Sequence, residues 1–178
     1  MVMEGTLEVR AIENGTVIDH IPANSLFKII KILGLDTETH RITFGMNLES
    51  KRMGTKAIIK INDRFCHQDE INRIALVAPM AVVNIIKNYE VVEKRAVEVP
   101  GTIEGFVKCA NPKCITNMEP VRTSFTVLQG DEISLRCKYC EKITHQNSIE
   151  PIAILQRRQQ DRVTVRRQIS NLVKRSRI

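Results

Sequence analysis

The chain has 178 residues, 43% of them hydrophobic, with 4% aromatics and no tryptophan, so it suits one ordinary domain or two small ones built on an aliphatic core. Residues 151–178 hold eight Lys or Arg against one acid and so carry the whole formal charge of +7; the remaining 19 basic and 19 acidic residues cancel, which argues against nucleic-acid binding by the body of the chain. No apolar run reaches the roughly 18 residues of a membrane span, and residues 1–10 (MVMEGTLEVR) lack a signal-peptide pattern, so a cytoplasmic chain with reduced thiols is expected.

In chain order, residues 7–12 (LEVRAI) and 16–20 (TVIDH) are short apolar stretches around Glu13-Asn14-Gly15, and Asn-Gly is a hairpin signal. After Pro22 and Asn24, Leu26, Ile29, Ile30 and Leu33 recur at helical spacing, and Gly34 stands where a helix stops. Residues 41–48 alternate Ile42, Phe44, Met46 and Leu48, predicting a half-buried strand, and residues 56–62 (KAIIKIN) predict a second. A helix is expected from about Asp69, with Ile71, Ile74, Ala75 and Val77 on one side and Pro79 at its end. Residues 81–86 and 89–92 read as the last strands of this part. Strand, helix, strand, strand, helix, strand is the order of an α+β fold, a ferredoxin-like antiparallel sheet with two helices on one face. The sheet face left bare suggests pairing with another copy of the chain.

The polar run 93–101 (EKRAVEVPG) ends in Pro-Gly and marks a boundary, giving domains of 1–100 and 101–150. The second has short strand-like runs at 102–107, 124–128 and 133–136. Beyond it, residues 151–178 place Ile152, Leu155, Val165, Ile169 and Leu172 at mostly helical spacing between arginines, predicting a basic C-terminal extension that is helical or a flexible arm.

Cys109 and Cys114 form a C-x4-C pair, and Cys137 and Cys140 form a C-x2-C pair. Each pair on a tight turn can supply one edge of a tetrahedron of thiolates around zinc, and residues 115–136 are long enough to bring the turns together. Four protein ligands leave no position for water, so one structural zinc per chain is expected in a small β-rich, zinc-ribbon (rubredoxin-like) domain. Cys66 stands apart and reads as a packed thiol.

No G-x-S-x-G, P-loop, H-E-x-x-H or G-x-G-x-x-G sequence occurs, so no enzymatic activity is expected. Asp19-His20 is the one adjacent acid–imidazole pair, and Lys56, Lys60 and Lys94 lie on or beside predicted strands. Such cations near an acid and an imidazole can bind a phosphorylated ligand; equally, lysines at strand ends are commonly just solvated.

The runs GTVIDHIPA (15–23), RITFGMNL (41–48), IKI (59–61), APMAVVNIIKNYEVVEK (78–94), KCANPKCI (108–115) and CKYCEK (137–142) together resemble the aspartate carbamoyltransferase regulatory chain family over about residues 7–149. The resemblance implies a non-catalytic subunit that binds ATP, CTP and UTP in its N-terminal domain and modulates catalytic chains in de novo pyrimidine biosynthesis. Positions matching the family's nucleotide site are Ala11, Ile12, Val17, Asp19, His20, Lys60, Asn84, Ile86, Tyr89, Val91 and Lys94. It further implies that main-chain groups near Ile12 and Tyr89 read the base, Asp19 and Lys60 lie near ribose and base, and His20 and Lys94 near phosphates, with Lys56 available to a second nucleotide. Regulatory chains of the family pair through their nucleotide domains and dock on catalytic chains through their zinc domains, here around Asn111, Lys113, Glu141 and Lys142. Two positions depart from the family: Arg10 stands where the best-known members carry an acid, and residues 151–178 extend past the usual C-terminus. The alternative reading is a zinc-ribbon nucleic-acid-binding protein that uses the basic extension.

Overall fold

The computed structural model describes residues 10–130 and 132–152, which fall into two compact units: 10–29 with 35–98, and 30–34 with 99–152. The extension expected to be helical lies, from residue 153 on, outside the described residues. Among the described residues no helix is long and apolar enough to cross a membrane.

The first unit is built on strands β1 (Gly15–Ile21), β2 (Ile42–Ser50), β3 (Gly54–Asn62), β4 (Val82–Lys87) and β5 (Glu90–Ala96), with helix α2 (Gln68–Ile74) and the first turn of helix α1 (Leu26–Leu33), whose residues from Ile30 on count with the second unit. All neighbours in the sheet are antiparallel, and the order is β2-β3-β1-β4-β5. This is the expected ferredoxin-like order with one further edge strand. Strand register separates the sheet's two faces, because residues directly opposite each other share a side. Ile18 lies opposite Ile59 and Val83, and Thr16 opposite Ile61 and Ile85. All six are buried, as are Leu26 and Ile29 of α1 and Ile71 and Ile74 of α2. Each fully buried isoleucine contributes roughly 1.5–3 kcal/mol of transfer free energy. The other face carries the row Lys60, Val17, Asn84, Lys94 across β3, β1, β4 and β5.

Two bulges shape these faces. Between Ile18 and Ile21 the β1–β3 register slips by one residue, with His20 at φ 58°. Ile18 and Ile21, three apart, therefore both reach the core and are fully buried. Between Ile85 and Ile86 the β4–β5 register slips at Val92, so that Val91 pairs with Ile86 while Lys94 pairs with Asn84.

Asn14-Gly15 does not turn a hairpin. Gly15 opens β1 at φ 131°, and a Cβ there would stand 2.0 Å from the Ile61 carbonyl oxygen, so the glycine serves close strand approach. The preceding residues run across other strands: the Asn14 carbonyl accepts from Asp63 N–H, the Glu13 carbonyl from Tyr89 N–H, and the Asn14 side-chain oxygen from Asn88 N–H. The alternation in β2 also fails to bury one face. Phe44 is 49% and Met46 38% exposed: β2 is the edge strand of the sheet, and beyond Gly45 a register slip, with Asn47 at φ 57°, breaks the period of two.

The second unit has the antiparallel sheet β6 (Thr102–Glu104), β7 (Ser124–Leu128), β8 (Ser134–Cys137) and β9 (Ile143–His145), in that order, and the short helix α3 (Ile115–Met118). The strand expected over 102–107 stops at Glu104, where Gly105 turns the chain at φ 74°. Ile103, Phe106, Val107, Phe125, Val127 and Leu135 form its core. Phe125 lies directly opposite Cys137, which joins that core to the cysteine cluster.

Candidate functional site

The second unit gathers the four paired cysteines. Tight turns do this on both sides: Cys114 N–H donates to the Asn111 carbonyl, and Glu141, at φ 60°, donates to the Cys137 carbonyl at the tip between β8 and β9. The four sulfurs all lie within 4.8 Å of one another, with Cys109–Cys140 at 3.6 Å and Cys114–Cys137 at 3.8 Å. A tetrahedral ion with metal–sulfur bonds of about 2.3 Å has sulfur–sulfur edges of roughly 3.8 Å, so the cluster fits a four-thiolate metal. Cys109, Cys114 and Cys137 are buried, and Cys140 is partly exposed. Burial pushes the Cys109 thiol up. Burial also acts upward on Cys140, but hydrogen bonding from Lys142 N–H and from Asn111 outweighs it and brings that thiol down to about 7. Four thiolates fill a tetrahedral coordination sphere, so a metal held by this cluster would have no open position.

In the first unit, a cavity of about 210 Å³ opens on the sheet face away from the helices and is lined by Ala11, Ile12, Val17, Ile58, Lys60, Asn84, Ile86, Tyr89 and Val91. Eight of the eleven positions matched to the nucleotide site therefore meet in one place; Asp19, His20 and Lys94 do not line it. Lys94 lies directly opposite Asn84, one strand outward in the same row. Asp19 and His20 occupy the β1 bulge, where the Asp19 carboxylate accepts from Lys56 Nζ at 2.7 Å and His20 Nδ1 is 3.6 Å from the second carboxylate oxygen. Their end of the face is polar, with the Lys56 and Asp19 charges paired, while the cavity is mostly apolar.

Lys60 is the charged exception within the cavity. It is 9% exposed and donates from Nζ to the Arg10 carbonyl at 2.7 Å. Burial lowers its affinity for a proton, and the Asp19 charge partly restores it. Tyr89 lines the rim from a left-handed turn, with Asn88 at φ 51° and Tyr89 at φ 66°. For a tyrosine that conformation is unfavourable, and it is held by Glu13 and Asn14. Ile58 is a lining residue that the sequence reading missed; its parity with Lys56 and Lys60 on β3 was the available signal.

Cys66 is buried, and burial pushes its thiol up to about 11. Its N–H donates to Thr16 Oγ1 at 3.0 Å, which makes it a packed core thiol.

Two family models match the chain. Residues 7–98 match "Aspartate carbamoyltransferase regulatory chain, allosteric domain", and residues 101–150 match "Aspartate carbamoyltransferase regulatory chain, metal binding domain". Among curated relatives, an aspartate carbamoyltransferase regulatory chain of Bacteroides fragilis is 54% identical over 136 residues, covering 76% of this chain and 89% of the relative. One of Porphyromonas gingivalis is 55% identical over 134 residues, covering 75% and 89%. One of Pyrococcus horikoshii is 50% identical over 145 residues, covering 80% and 95%.

Proposed function

This chain belongs to the aspartate carbamoyltransferase regulatory chain family, a non-catalytic subunit of a pyrimidine-pathway enzyme, and on that premise we propose that it binds ATP, CTP and UTP in its first unit and thereby modulates catalytic chains in the cytoplasm. The observation that carries the proposal is the single sheet face on which an apolar cavity holding the buried Lys60 stands beside Lys94 on one side and the polar group of Asp19, His20 and Lys56 on another. About 210 Å³ is below the roughly 300–1,000 Å³ of common ligand clefts, which suits a base and part of its sugar. The phosphates then extend toward Lys94 and His20, and Lys56 is left to a second nucleotide. In this reading main-chain groups near Ile12 and Tyr89 meet the base, and Lys60 and Asp19 lie near ribose and base.

In this reading the metal is zinc, one per chain, and it is structural. It fixes a domain of about residues 101–150 whose turns, with Asn111, Lys113, Glu141 and Lys142, meet the catalytic chain. The nucleotide domain, about residues 1–100, also pairs two regulatory chains. Exposed Phe27, Phe44 and Met46 support such pairing, because an apolar cluster on a soluble surface calls for a cover. Nucleotides act only through a difference in affinity between two quaternary states of the assembly.

Reconstitution with catalytic trimers tests the whole proposal. The zinc-loaded chain is expected to associate and to make carbamoyl transfer respond to nucleotides, and the metal-free chain to do neither. A zinc-loaded chain that associates with nothing and confers no response overturns it.

A further inference from the structure

A C-x4-C loop is longer than a C-x2-C turn and is held less by its own backbone. Around Cys109 and Cys114 a side chain from outside the loop supplies the closure. Asn117 Nδ2 donates to the Cys109 carbonyl at 2.8 Å and to the Asn111 carbonyl at 2.7 Å. Both amide protons are thereby used, one at the start of the loop and one at its middle. The Asn117 N–H also donates to the Cys114 carbonyl at 2.9 Å, so one residue contacts the beginning, middle and end of the loop. Its neighbour Thr116, 5% exposed, donates its hydroxyl to Cys114 Sγ at 3.2 Å.

We propose that Asn117 and Thr116, both on α3, are positioning residues of the metal centre: Asn117 sets the span of the C-x4-C loop and Thr116 steadies the Cys114 thiolate. The inference rests on the metal-centre reading above. A hydroxyl hydrogen bond withdraws charge from a thiolate and fixes its direction, and outer-shell contacts of this kind change metal affinity by roughly 10–100-fold when lost. An amide that spans two carbonyls is also specific in sign. A carboxylate of the same shape would turn two attractions into two repulsions.

The test uses the full chain loaded with zinc, with release followed by a chromogenic chelator, and the cobalt-substituted chain for spectroscopy. Asn117→Asp is expected to release zinc roughly tenfold faster or more. Thr116→Val is expected to speed release and to move the thiolate-to-cobalt charge-transfer band to longer wavelength, with Thr116→Ser restoring both. The band reports on the sulfur itself, so a merely structural role for Thr116 leaves it in place. If Asn117→Asp does not fold, Asn117→Ser, which removes both amide donors without adding a charge, takes its place, and zinc release from it at the wild-type rate overturns the role of Asn117. An Asn117→Asp chain that folds, holds one zinc and releases it at the wild-type rate overturns the role of Asn117. A Thr116→Val band at the wild-type wavelength overturns that of Thr116. A wild-type chain that takes up no metal overturns instead the metal-centre reading.

Discussion

Lys60 on β3 and Arg10 before β1 are joined by one hydrogen bond, from Lys60 Nζ to the Arg10 carbonyl at 2.7 Å. The bond ties the floor of the cavity to the segment that forms its wall. A lysine so buried is unfavourable in an empty site, since burial works against its charge. A hydrogen bond to a charged group contributes about 1.5–3 kcal/mol. Lys60→Met is therefore expected to weaken ATP, CTP and UTP alike by roughly tenfold or more, measured by titration calorimetry on the isolated chain. Lys94, outside the cavity, should behave differently: Lys94→Met weakens the triphosphates and leaves the free nucleosides unchanged. Equal losses for nucleoside and triphosphate in Lys94→Met would refute the placement of phosphates at that end.

Gly15 is the tightest backbone approach beside this site. Gly15→Ala sets a methyl group 2.0 Å from the Ile61 carbonyl oxygen at a φ of 131° that alanine avoids. The strand pair must move apart, at a cost of about 3 kcal/mol or more. Thermal unfolding should show a large fall in the midpoint of the first unit. A near-normal midpoint would mean that β1 and β3 separate at little cost.

Strong local patterns were legible in the sequence. Leu26, Ile29 and Leu33 mark α1, the β-branched runs mark β1, β3 and β4, and the two cysteine pairs mark the metal centre. What escaped depends on partners remote in sequence. Asn14-Gly15 has hairpin chemistry, yet its hydrogen bonds go to Asp63, Asn88 and Tyr89, and no local rule anticipates them. The bulge at Val92 decides that Val91 and Lys94 share a face, which a strict period of two denies. Helix α3 has four residues and β9 three, too few to show any period. The clamp made by Asn117 was invisible for the same reason.

Thiol chemistry separates the five cysteines. With its thiol pushed up to about 11, Cys66 is thiolate to the order of one part in a thousand at pH 8. The folded, zinc-loaded chain should thus react slowly with a disulfide reagent, and chelation should release four fast thiols rather than five. Linkage has a definite sign here. The folded chain holds the Cys66 proton more tightly than the unfolded chain, so this stability is complete below the ordinary thiol value of 9.0 and is lost as pH rises toward about 11. Denaturant midpoints should fall over that alkaline window, and Cys66→Ala should flatten the fall. Five fast thiols after chelation would contradict the burial of Cys66.

Metal removal should affect one unit only. The second unit rests on short strands and a small core led by Ile103, Phe125 and Leu135. Small domains of this size commonly need a metal to fold, because binding energy is then folding energy. The first unit has its own core around Ile18, Ile59, Ile71 and Ile74. Chelation is expected to abolish amide protection across β6–β9 in hydrogen exchange while β1, β3 and β4 stay protected. Loss of protection in both units would show that the first depends on the second.

Phe27 on α1 and Phe44 on β2 meet edge to face, with centroids 6.4 Å apart and planes at 72°, yet they are 57% and 49% exposed. Such a pair contributes about 0.5–1.5 kcal/mol beyond its burial, too little to justify leaving both rings in water. Met46, 38% exposed, follows Phe44 by two on the same strand. If a second copy covers this cluster, Phe44→Asp places a charge in an apolar interface and should convert the dimer to a monomer in sedimentation velocity, with the fold of each chain intact. The monomer should keep its nucleotide affinity, because the cavity residues Val17, Asn84 and Ile86 lie on β1 and β4, whereas Phe44 lies on the edge strand β2. A Phe44→Asp chain that remains dimeric would move the pairing surface elsewhere, with the exposed β5 edge as the remaining candidate in the sheet.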